Sequence, residues 1–133
     1  MNSELPDFYF DTHFLNDQNI TNFPSSFAII TAYATTGEQW SEQQNADADG
    51  RLKKYLDEHF SWVARLTGFS PESGHSELGW AVNIDWQEAC DIGLSFKQDA
   101  IYYVATNRLS VSFCDKRRKL ITIGDFSNRV QSS

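Results

Sequence analysis

The stretch Gly74-His75-Ser76-Glu77-Leu78-Gly79-Trp80-Ala81-Val82-Asn83-Ile84-Asp85 divides the chain into two halves. Trp80, Val82 and Ile84 alternate with Ala81, Asn83 and Asp85, the period of a strand whose successive side chains face opposite sides. Asp85 and Glu88 then stand at capping-box spacing, so the strand is predicted to hand over to a helix. Trp86, Ala89, Cys90 and Gly93 share one face of that helix, with Ile92 and Phe96 beside it. Upstream, Trp62, Ala64 and Leu66 alternate with Val63, Arg65 and Thr67 up to Gly68, a second strand. Phe69 to Gly74 is a Ser-, Pro- and Gly-bearing loop between the two.

Working outward toward the N-terminus, Ser41 and Gln44 repeat the capping-box spacing and open a first helix. Ala48, Leu52, Tyr55, Leu56 and His59 give it one apolar stripe, while Gly50 weakens its first half by up to about 1 kcal/mol against Ala. Ala34-Thr35-Thr36-Gly37 supplies the turn before it. The run Phe27-Ala28-Ile29-Ile30-Thr31-Ala32-Tyr33 is almost continuously apolar, as in a strand buried on both faces. Asn16 to Pro24 is a polar loop, and Phe8, Phe10, Thr12 and Phe14 alternate with Tyr9, Asp11 and His13 as a first strand.

Toward the C-terminus, Ala100-Ile101-Tyr102-Tyr103-Val104-Ala105 is a second doubly buried strand. Thr106-Asn107 fits a two-residue hairpin turn, since Asn tolerates positive φ. Leu109, Val111 and Phe113 alternate with Ser110, Ser112 and Cys114, Lys116-Arg117-Arg118-Lys119 reads as a solvated turn, and Leu120 to Ile123 is a last short strand. The expected order is β-β-α-β-β-α-β-β-β. This is an α/β (α+β) domain over residues 1–133, with loose ends at 1–7 and 124–133. It has a single mixed sheet of about six or seven strands and two main helices packed on one face, ending in an antiparallel three-stranded meander. The passage from 27 to 67 could be a right-handed crossover joining a parallel pair.

With 133 residues, 41% hydrophobic and 14% aromatic, the chain can bury one real core, and its 19 aromatic residues (Phe 10, Tyr 5, Trp 4) are spread along its length. A net charge of −7 repels phosphates, so nucleic acid and anionic membrane surfaces are not expected partners. Trp40, Trp62, Trp80 and Trp86 are read as core or interface residues rather than a base-stacking platform. Cys90 and Cys114 have no metal-ligand spacing and are read as reduced packing residues, which fits a cytoplasmic setting. No window approaches the roughly 18 apolar residues of a membrane span, and Met1-Asn2-Ser3-Glu4 does not begin a signal peptide. A soluble, cytoplasmic, bacterial protein is the expectation.

No Walker loop, Gly-x-Gly-x-x-Gly, His-Glu-x-x-His or Gly-x-Ser-x-Gly motif occurs, which removes the commonest nucleotide-dependent, metalloprotease and hydrolase readings. The densest chemistry is His75-x-Glu77, where a strand would turn both side chains the same way. A second polar set punctuates the ends of the apolar strands: Thr31, Tyr33 and Thr35 after one, Gln98 and Asp99 before the other. Ligands in open α/β sheets gather at such strand ends, and the first turn of the following helix, including Asn45, would favour an anion.

Several of these segments form a pattern of their own. Phe27-Ala28-Ile29-Ile30-Thr31-Ala32-Tyr33, Asn45, Glu77-x-Gly79-Trp80-Ala81-Val82 and Phe96-x-Gln98-Asp99-Ala100-Ile101, with Tyr9-x-x-Thr12 before them, resemble the bacterial family called domain of unknown function 3293. The resemblance runs from about Tyr9 to Phe113. It departs from the family pattern at Ala34-Thr35, where the family carries Asn-Pro, and at Glu77-Leu78, where it carries Glu-Pro. It implies a boundary, a site region and a part for Glu77, but no reaction.

Three functional expectations follow. The leading one is a domain that binds a small polar or anionic ligand at one end of the sheet, on a rim of Thr31, Tyr33, Asn45, His75, Glu77 and Gln98, with no cofactor and no metal. The second is a non-enzymatic interaction or regulatory module, including a homo-oligomer built on an exposed edge strand. The third is a small enzyme using His75 and Glu77, which requires the two side chains to converge in a pocket.

Overall fold

The computed structural model describes residues 8–16, 18–33, 41–72, 74–116 and 118–132. The first seven residues, the turn at 34–37, Trp40 and Arg117 lie outside the described residues. Eight strands form one sheet: β1 (His13–Asn16), β2 (Ser26–Thr31), β3 (Val63–Phe69), β4 (Ser76–Val82), β5 (Ala100–Ala105), β6 (Arg108–Phe113), β7 (Leu120–Asp125) and β8 (Val130–Ser132). The helices are α1 (Phe8–Asp11), α2 (Glu42–His59) and α3 (Trp86–Ser95), with a 3-10 turn at Phe126–Asn128. Among the described residues no helix is long and apolar enough to cross a membrane.

The mixed α+β architecture matches the expectation, and its strand order, β7-β6-β5-β2-β4-β3-β1-β8, could not be read from the chain. Strands β2 and β3 are parallel, as a crossover through α2 demands, but β4 lies between them and pairs antiparallel with both. Likewise β2 separates β4 from β5, the strands joined by α3. The segment from β2 to β5 is thus the interleaved β-α-β-β-α-β order of ferredoxin-like domains. The C-terminal meander β5-β6-β7 is antiparallel throughout, and Thr106 and Asn107 turn its first hairpin with φ of 48° and 69°.

Both helices start where the caps place them. The Ser41 hydroxyl accepts from the Gln44 amide while the Gln44 side chain accepts from the Ser41 amide. Asp85 accepts from the Glu88 amide at 2.8 Å. Each such cap is worth about 1 kcal/mol. Gly50 lies within α2 without breaking it, on the exposed side. The buried stripe of α2 is Ala48, Leu52 and Leu56. Tyr55 and His59, expected in that stripe, instead stack on each other at the surface, ring centroids 4.2 Å apart. Both helices lie on one face, where those three residues and Ala89, Cys90 and Ile92 of α3 meet Ala28, Ile30, Val82 and Ile101. Arg118, read as part of a solvated turn, reaches α3 and holds Asp91 at 2.6 Å and Gln87 at 3.0 Å.

Two predictions about the ends change. The residues Phe8 to Asp11, read as strand, form a helical turn before β1. The tail, expected to be loose from Gly124, completes β7, turns through Phe126–Asn128 and adds β8 parallel to β1. Strands β7 and β8 are the two ends of the sheet, yet residues 126–129 join them, so the sheet curls on itself. Phe126 plugs the inside of the curl, packed edge-on against Phe23 and Phe27 at 5.3 Å. That inner core holds Phe14, Phe27, Ile29, Leu66, Tyr102, Val104 and Leu109. Burying each such side chain contributes about 1.5–3 kcal/mol, which is why a three-residue strand with one apolar residue is held.

Candidate functional site

The inner core does not fill its end of the curl. A pocket open to solvent is lined there by residues of α1, β1, β2, β3, β4 and β5 and of the loops between them. Strand alternation accounts for its contents. In β2 the odd positions Phe27, Ile29 and Thr31 face inward. In β4, Ala81 and Glu77 face inward while Trp80 and Val82 meet the helices. Two glycines help to leave the space empty. Gly79 stands opposite Thr31, and Gly68 opposite Glu77. A Cβ at Gly79 would come within 2.9 Å of the Leu66 carbonyl and 3.3 Å of the Thr31 methyl.

Four of the six residues read as a ligand rim line this cavity: Thr31, His75, Glu77 and Gln98. The Thr31 hydroxyl lies 3.3 Å from Glu77 Oε1 and 3.0 Å from Gln98 Oε1. His75 Nε2 is 2.8 Å from Glu77 Oε2, at the mouth, with the imidazole half exposed. Gln98 arrives by a Schellman ending of α3. Its amide bonds the Gly93 carbonyl and that of Lys97 bonds Leu94, with Lys97 left-handed at φ 61°. This turn carries Gln98 under the end of β2. Its Nε2 donates to the carbonyls of Tyr33 at 2.7 Å and Phe96 at 3.1 Å.

The other two rim residues are placed elsewhere. Tyr33 contributes the carbonyl that orients Gln98 but does not line the cavity; burial, then the Asp49 carboxylate, push its hydroxyl pKa up. Asn45 stands on α2 one turn before Asp49 and does not line the cavity. Strand β2 ends at Thr31, so the alternation that turns Thr31 inward does not extend to Tyr33. Residues on α2 are on the far side of the sheet.

Tyr9, Thr12 and Tyr102 line the cavity and were not in the predicted rim. The Tyr102 hydroxyl donates to the Tyr9 carbonyl at 2.8 Å. Burial holds the Tyr9 proton far above the usual phenol range, and the Glu77 and Asp99 carboxylates reinforce it; burial does the same for Tyr102. Both therefore stay neutral. The usable signal was Tyr9-x-x-Thr12, the spacing of one helical turn, which the alternation of Phe8, Phe10 and Phe14 obscured. Tyr102 sits in a doubly buried strand, where nothing in the local pattern marks one face as a cavity wall.

Chemically, the site joins aromatic and aliphatic walls to a head of one carboxylate, one amide oxygen and one hydroxyl. His75 and Glu77 form a pair able to move a proton. Among the described residues no group of three or more His, Cys, Asp or Glu comes together as metal ligands.

Comparison with curated proteins and with solved structures found no match. A family model described as Protein of unknown function (DUF3293) matches residues 30–101. That span holds Thr31, His75, Glu77 and Gln98 and covers more than half of the 133 residues. The chain belongs to this family of unknown function.

Proposed function

We propose that the domain is a cytoplasmic binding module for a small ligand, seated in the cavity at the end of the curled sheet. The observation that carries this reading is the convergence of Thr31, Glu77 and Gln98 on the head of an aromatic-walled cavity. They come from β2, β4 and the segment after α3, far apart in the chain, and an apolar pocket with a few convergent polar groups is the usual form of a ligand site. The cytoplasmic placement rests on two buried, unbridged thiols, Cys90 and Cys114.

Fragment titration followed by amide chemical shifts tests it. Binding should shift Tyr9, Thr31, Gly68, Glu77 and Gln98 together. A second depression lies between α2 and α3, lined by Tyr55, Ile92 and Phe96. Shifts confined to those residues, or a diverse library without a hit, would sink the proposal.

The His75–Glu77 contact favours a second reading, proton transfer on the bound molecule. It requires a carboxylate-oriented imidazole within reach of the ligand, and the pair lies on the cavity mouth. Turnover of a bound fragment, lost in His75→Gln with binding retained, would separate this reading from simple binding.

A further inference from the structure

The head of the cavity holds more acceptors than protons, and the imbalance bears on the charge of what binds there. Thr31 has one hydroxyl proton, yet Glu77 Oε1 and Gln98 Oε1 both lie within bonding distance of it. One proton serves one of them at a time. Gln98 cannot turn its amide to help. Both Nε2 protons are spent on main-chain carbonyls, so its oxygen is held toward Thr31, in a residue only 6% exposed. A carboxylate and a fixed carbonyl thus share a single donor.

Among the described residues no arginine or lysine bonds Thr31, Glu77 or Gln98. The Glu77 and Asp99 carboxylates both act on Tyr9 in the wall. Arg129, the cation whose field reaches Tyr102, keeps its charge but spends its donors on the carbonyls of Phe10, Thr12 and Ile123, so none of these bonds is left for a group at the head. His75 meets the other oxygen of Glu77, Oε2, at the mouth rather than at the head. An anion would meet Glu77 with no free cation among these groups to receive it. Below the head, Phe14, Ile29 and Tyr102 give the pocket an apolar and aromatic wall.

Resting on the reading that this cavity is the ligand site, we infer that it takes a protonated primary amine with a small aryl or alkyl body. An ammonium group carries three donors and no acceptor. Two go to Glu77 Oε1 and Gln98 Oε1, and the third to the Thr31 oxygen. This reverses the charge expected from the helix-terminus argument, because Asn45 and the start of α2 lie on the other face.

The test is a titration of the full chain with benzylamine, benzyl alcohol and benzoate, followed at the amides of Thr31, Gly68, Glu77 and Gln98. Wild type, Glu77→Gln and Glu77→Asp are compared, each checked for native far-UV dichroism. Benzylamine should bind at least about tenfold tighter than either isostere. That advantage should vanish in Glu77→Gln and return in part in Glu77→Asp. If benzyl alcohol or benzoate shifts the same amides with affinity within about twofold of the amine, the charge assignment falls and the cavity reading stands. An amine preference that survives Glu77→Gln also overturns it. No shift at these amides with any probe removes the cavity reading, and this inference with it.

Discussion

The two faces of the sheet each carry a polar cluster, and they are built on opposite principles. On the helix face, the Arg65 guanidinium lies 3.6 Å above the Trp80 ring centroid. It donates to both Asp49 oxygens at 3.0 and 2.8 Å and to the Gly79 carbonyl at 3.3 Å. Charge is balanced, both forks of the guanidinium are used, and α2 covers the pair. Trp80 Nε1 is left without a hydrogen-bond partner among the described residues, its ring face taken by Arg65. On the inner face, Glu77 and Gln98 compete for one Thr31 proton beside an open cavity. A paired, covered cluster serves the fold, whereas an amide oxygen held by main-chain contacts beside a carboxylate is a cost that folding alone does not require.

The contrast is broken most directly on the closed side. Asp49→Ala leaves the Arg65 guanidinium, whose side chain is 18% exposed, facing Trp80 without its counter-charge. Urea titration should show a loss of about 2–3 kcal/mol. A loss below about 0.5 kcal/mol would make this an ordinary surface pair and erase the difference between the faces.

An intermediate effect belongs to the cavity wall. Tyr102→Phe deletes the bond to the Tyr9 carbonyl and should cost about 1 kcal/mol at neutral pH. The buried tyrosines also carry a pH signature. Tyr9 and Tyr102 keep their protons when folded, whereas unfolded tyrosines release them near the ordinary value of 10.0. The native state then binds more protons, so the contribution is whole below pH 10 and is lost as pH rises beyond it. Tyr102→Phe should flatten that decline; equal slopes in both proteins would mean the wall is wetter than it looks.

The smallest effect sharpens the comparison most. Glu77→Gln replaces a carboxylate oxygen by an amide able to donate toward Gln98. Stability should stay the same or rise by about 0.5 kcal/mol, with any amine binding lost. A destabilisation above about 1 kcal/mol would class Glu77 with Asp49 as a structural residue.

Much of this was legible residue by residue. The apolar runs at Phe27 and Ala100 announced strands buried on both faces, and they became the centre of the sheet beside β4. Ser41 with Gln44, Asp85 with Glu88, and Thr106-Asn107 marked starts and turns, because caps and positive-φ turns are decided within a few residues. Thr31, His75, Glu77 and Gln98 were identifiable as polar residues interrupting apolar segments. What misled was local pattern without its partner. Phe8 to Phe14 alternates like a strand, yet its first half is a helical turn that brings Tyr9 to the cavity. Val130-Gln131-Ser132 has no strand signal and exists as β8 because Phe126 closes the inner core next to it.

The sequence by itself determined the elements, their caps and the alternation that assigns each strand residue to a face, all properties of a few neighbouring residues. Only the tertiary structure decided that β4 runs between β2 and β3, setting Glu77 within reach of Thr31. It alone decided that the sheet curls and that Gln98 swings under its end while Asn45 is left on the far side. Those outcomes depend on which surfaces bury each other across dozens of residues, where no local spacing carries the information. The stretch from Gly74 to Asp85 holds both kinds: its strand was readable in advance, and its glutamate shares a cavity with residues 46 positions before it and 21 after.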